Sequence, residues 1–142
     1  MADRQLENLA RIGQLKPEPP AEAEIRGLLR SGLLRLQDAQ RPELSLESRF
    51  DLAYNAAHAL ALAALRLRGY RSESRYLVFQ CLQHTVGLPA EQWRVLDQAH
   101  RKRNLAEYEG CTDVDEQLLA AVIRVGRAVA ERVQVLAGDP IG

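Results

Sequence analysis

The chain has 142 residues, enough for one domain around one core, and its 19 Lys and Arg balance 19 Asp and Glu, which argues against a globally basic nucleic-acid binder. Apolar residues make up 46% and aromatics 5%, so Leu, Ala and Val must pack the interior. The longest apolar run, 56–65, contains His58 and is too short to span a bilayer, and the N-terminus lacks the basic-then-apolar order of a leader peptide.

Six helical stretches follow in order. Residues 2–15 form the first, ended by Lys16-Pro17-Glu18-Pro19-Pro20, a short semi-rigid linker. A second runs from Ala21 to about Gln40, where Ser31-Gly32 is a candidate kink. The third begins at the N-cap Ser45 and stops at Gly69 in the C′ position. Its centre, 56–65, is apolar on nearly every face, which suits a helix in the middle of a bundle. The fourth is capped by Ser72 and ends near Gly87. The fifth opens on Pro89, carries Glu91 in its first turn and stops near Gly110. The sixth starts at Thr112 or Asp113, with Asp113 and Glu116 at capping-box spacing. Leu118, Ala121, Val122, Val125, Val129, Val133 and Leu136 give it an apolar stripe. No stretch alternates at period two, so no sheet is expected. Short connections favour antiparallel neighbours. The predicted fold is all-α, an up-down antiparallel helical bundle at 21–137, preceded by a helix and linker at 1–20 and followed by a frayed tail at 138–142.

One segment of the fifth helix carries candidate chemistry, residues 99–108. Trp93, Leu96, Ala99 and Ala106 mark its inward side, and Arg103 falls between Ala99 and Ala106. A half-buried arginine needs a carboxylate, a carbonyl or a bound anion. At 100° per residue, His100, Arg103, Asn104, Glu107 and Tyr108 share one broad face. The structural alternative pairs Arg103 with Glu107 one turn on. Arg66, Arg68, Arg71 and Arg75 surround the turn after the third helix. If that turn shares an end of the bundle with Arg101, Lys102 and Arg103, a basic patch results. Nearby carboxylates such as Glu73, Glu107 and Asp115 would offset it. His58 and His84 read as structural.

Arg103-Asn104, the Ala-rich third helix and Tyr76-Leu77-Val78-Phe79-Gln80 together resemble the HEPN superfamily over about residues 25–137. These are small helical bundles, many with an Arg-x(4–6)-His motif. In active members the motifs of two subunits meet across a dimer interface and cleave RNA without metal. In this chain Tyr108 stands five positions after Arg103, where the motif His belongs. Cleavage needs a proton shuttle near neutral pH, and a phenol with a pKa of about 10 is a poor base. The resemblance therefore implies RNA or nucleotide phosphate binding by Arg103, Asn104, Arg101 and Lys102, with ribonuclease activity reduced or absent. Candidates for any remaining catalysis are His100, Arg103 and Tyr108. It also implies a homodimer and an association with toxin–antitoxin or defence systems, including an antitoxin-like protein partner.

The alternative is a non-enzymatic helical module for dimerisation or protein interaction. Cys81 and Cys111 have no C-x-x-C spacing and are expected to be free thiols in the cytoplasm. Zinc spacings, phosphate-cradling Gly-rich loops and nucleophile elbows do not occur in the sequence, so neither a metal nor a cofactor is expected.

Overall fold

The computed structural model describes residues 3–109 and 115–138, with the backbone alone for 105–109. Helix α1 spans Arg4–Arg11, α2 Glu22–Asp38, α3 Leu46–Leu67, α4 Arg75–Gln80, α5 Leu82–Thr85, α6 Ala90–Glu109 and α7 Glu116–Ala137. The protein is an all-α helical bundle. No helix among the described residues is long and apolar enough to cross a membrane.

The capping chemistry explains most boundaries. Ser45 accepts a hydrogen bond from Ser48 N at the start of α3, and Gly69 follows that helix with φ +88°, the left-handed conformation that glycine adopts without steric cost. The fourth predicted helix is corrected in two ways. Its N-cap is Ser74, whose side chain accepts from Leu77 N, while Ser72 Oγ accepts from Ser74 N. The helix is also interrupted at Cys81, which keeps right-handed helical angles but divides it into α4 and α5. Helix α7 is capped by Asp115, which accepts from Leu118 N. The predicted Thr112 and Asp113 caps lie outside the described residues, as do Cys111 and the tail at 139–142.

Helix α3 lies at the centre. Ala53, Ala56, Ala57, Leu60, Ala63, Ala64 and Leu65 are buried along it, and the alanines let neighbouring helices approach closely. Helix α2 packs antiparallel to it: Glu24 reaches Arg66, and Arg49 Nε donates to Ala39 O at the other end. Gly32 does not break α2; a Cβ there would stand 2.6 Å from Leu60 Cγ. The glycine serves helix contact and not a kink. Helix α6 also runs antiparallel to α3, since His100 meets Tyr54 and Arg103 meets Asp51. Leu36 of α2 lies against Gly126 of α7, and Val122, Val125, Val129 and Val133 bury the stripe expected for that helix.

The expectation of no sheet is overturned locally. Strands β1 (Lys16–Pro17) and β2 (Tyr70–Arg71) form a two-residue antiparallel ladder, too short to show period-two alternation. Beside it Arg66, almost fully buried, donates Nε to Glu24 Oε1 at 2.8 Å. Its other nitrogens donate to Glu18 O and Pro19 O. Arg71 pairs with Glu18 and Glu24, and these partners hold the Glu24 carboxyl below its usual pKa, chiefly through hydrogen bonds from Arg66 and Arg71. The N-terminal segment is thus tied to the end of α3. Leu6 and Leu15 are buried in the main core.

Candidate functional site

The motif segment of α6 faces a polar stripe of α3. Asp51, Tyr54, Asn55 and His58 are spaced i, i+3, i+4, i+7, so they share one side of an otherwise apolar helix. Opposite them stand His100, Arg103 and Asn104, and α4 adds Arg75 and Phe79.

Tyr54 is the hub. Its side chain is 1% exposed, and its hydroxyl lies 2.8 Å from His100 Nδ1. The other imidazole nitrogen, Nε2, lies 3.3 Å from the Asn104 amide. A neutral imidazole satisfies both contacts in either tautomer, provided the Asn104 amide turns to match. The Arg103 Cζ lies 5.0 Å from the Tyr54 ring centre and the Arg75 Cζ 5.4 Å from it, both within cation–π range. Phe79 meets Tyr54 edge-on and His58 edge-on, closing the cluster from below.

Two guanidiniums therefore reach one aromatic ring from different helices. Arg75 donates to Asn55 Oδ1 at 3.1 Å. Arg103 Nε donates to Asp51 Oδ1 at 3.3 Å, and the Asp51 side chain is 59% exposed. The expected Arg103–Glu107 pair lies outside the described side chains, and so does Tyr108. The charges that act on His58 at the base of the cluster are positive. His58 beneath it is pushed down to a pKa of about 4, first by burial and then by Arg75, His100 and Arg103.

The other sequence candidates separate from this cluster. Arg101 points to solvent and pairs with Asp97 one turn back at 3.0 Å. Lys102 is half-buried next to Arg103. The proposed basic end of the bundle does not assemble. Arg66 and Arg71 are consumed by Glu18 and Glu24, and Arg68 donates to Thr85 O. Of those four arginines, Arg75 joins the motif face. Sequence reasoning missed Asp51, Tyr54 and Asn55; the polar i, i+3, i+4, i+7 stripe was the signal that could have found them. Among the described residues, no group of three or more His, Cys, Asp or Glu is placed to hold a metal ion.

No protein-family model, curated protein or solved structure matches this chain.

Proposed function

We propose that this chain is a HEPN-like bundle that binds a phosphate of RNA or of a nucleotide at the α3–α4–α6 face. Arg103 and Arg75 are the cationic contacts and Asn104 a neutral donor. The observation that carries this reading is the arrival of two guanidiniums at the Tyr54 ring, beside an imidazole and an amide. Arginine forks suit phosphate oxygens because two parallel N–H groups match their spacing. Ribonuclease activity is reduced or absent in this reading. Tyr108 occupies the motif position, and both ring nitrogens of His100 are already engaged within the chain. Homodimer formation across this face, and use in a toxin–antitoxin or defence pair, extend the same reading.

A second reading, a helical dimerisation or protein-interaction module, draws on a different observation: Arg103 has a carboxylate partner, Asp51, in its own chain. Binding of single-stranded RNA followed by fluorescence anisotropy at two salt concentrations separates the two. On the first reading wild type binds, and Arg103→Ala and Arg75→Ala each weaken binding about tenfold, as expected for a lost charged hydrogen bond. Each also lowers the salt slope by about 0.7. Equal, negligible binding by all three proteins removes it.

A further inference from the structure

We propose that a second site, remote from the Tyr54 cluster, binds a small organic carboxylate carried on an apolar body. It is the groove of about 660 Å3 between the 83–87 turn and the last turns of α7.

Two arginines from different helices converge on that turn. Arg68, at the end of α3, donates Nε and Nη2 to Thr85 O at 3.1 and 2.8 Å. Arg132 of α7 donates Nη1 to Val86 O at 3.0 Å and to Gly87 O at 2.9 Å. Three successive carbonyls are thereby satisfied, while each fork keeps further N–H donors. Neither guanidinium has a carboxylate within ion-pair distance among the described residues. This contrasts with Arg66 and Arg71, which have two each.

Thr85 is 1% exposed, and its buried Oγ1 lacks a hydrogen-bond partner. Such orphaned groups are uncommon in folded proteins. A carboxylate seated against the turn would offer acceptors to both forks, and to this hydroxyl once a small shift of the turn uncovers it. Val86, Val135 and Leu136 form the apolar part of the lining, where a ligand body would lie, and Gln83 and His84 complete the rim. Glu131, exposed on α7, is the opposing charge in the lining, so two arginines outweigh one carboxylate. Planar carboxylate recognition by an arginine fork supplies orientation, and the apolar wall supplies the preference for an organic anion over a bare one.

Hexanoate is the probe, followed through the backbone amide NMR signals of Thr85, Val86 and Gly87 in the full chain. Hexanoate shifts these signals saturably, whereas hexanamide, equal in length and uncharged, does not. Inorganic phosphate binds there at least about tenfold more weakly. Arg132→Gln weakens hexanoate about tenfold or more, the equivalent of one charged hydrogen bond. Val135→Asp sits at a position 81% exposed, leaves the fold intact and has the same effect by placing a like charge on the wall. Glu131→Gln strengthens binding. The proposal is overturned if hexanoate produces no saturable shift, if hexanamide shifts the same amides equally, or if phosphate matches hexanoate.

Discussion

Tyr54 and His100 stand 46 residues apart in the chain, and the phenol hydroxyl lies 2.8 Å from the imidazole Nδ1. This contact joins the central helix to the motif helix and orients the ring that Asn104 meets on its other side. Tyr54→Phe keeps the buried ring but leaves Nδ1 without its partner. A lost hydrogen bond that strands a partly buried group costs about 1–2 kcal/mol. Urea unfolding is expected to show that loss with an unchanged slope. A change of only a few tenths would mean that the contact does not order the site.

Asp51 competes with any anion for Arg103. The pair is open to solvent on the Asp51 side, with side-chain exposures of 28% for Arg103 and 59% for Asp51, and pairs screened in this way contribute about 1 kcal/mol or less. Asp51→Asn should therefore change stability little and strengthen RNA binding, about two- to fivefold for a fraction of a kcal/mol of relieved competition. Weaker binding by this variant would show that Asp51 positions the arginine and does not compete with the ligand.

His58 sets an acid limit on the fold. Its pKa is about 4 in the folded chain against 6.5 ordinarily, through burial first and the positive neighbours second. Between those values the unfolded chain binds the proton more readily than the folded one. Stability is therefore complete near neutral pH and falls as pH drops through this window, by up to about 3 kcal/mol for this group. Urea unfolding at several pH values should show His58→Leu losing less stability on acidification than wild type. Phosphate bound at Arg75 and Arg103 offsets part of their repulsion, so NMR titration should find the His58 pKa higher in its presence.

Two glycines of α2 give opposite results on substitution. A Cβ at Gly27 meets nothing within 4 Å, whereas at Gly32 it lies 2.6 Å from Leu60 Cγ and 3.3 Å from Ala56 O. Leu60 is fully buried and the Ala56 carbonyl is backbone, so neither yields cheaply. Gly27→Ala should stabilise by up to about 1 kcal/mol through helix propensity. Gly32→Ala should destabilise by about 1–3 kcal/mol through overpacking. Thermal unfolding of both variants checks the contrast, and equal shifts would contradict the close α2–α3 packing.

What the sequence revealed was local. Ser45, Gly69 and the alanine run of α3 act within a few residues of themselves, so the ends and the burial of that helix could be read directly. The valine stripe of α7 was legible for the same reason. Arg66 was misplaced because its partners, Glu18 and Glu24, lie 42 to 48 residues away, and nothing local distinguishes it from Arg75. The ladder between Lys16–Pro17 and Tyr70–Arg71 was hidden likewise, by its length and by the proline within it. At the site, Arg103, Asn104 and His100 were legible from α6 alone. Tyr54 and Asp51 belong to another helix and needed the α3–α6 register, which only packing determines.

The central claim is that Arg103 and Arg75 jointly contact a phosphate, and the side-chain Nε–Hε NMR signals of these two arginines report on it directly. On titration with uridine 3′-monophosphate, both signals and the Asn104 side-chain amide should move together and saturate with one dissociation constant. If the two arginine signals stay in place throughout, with Arg103 still held by Asp51, the phosphate-binding account is wrong.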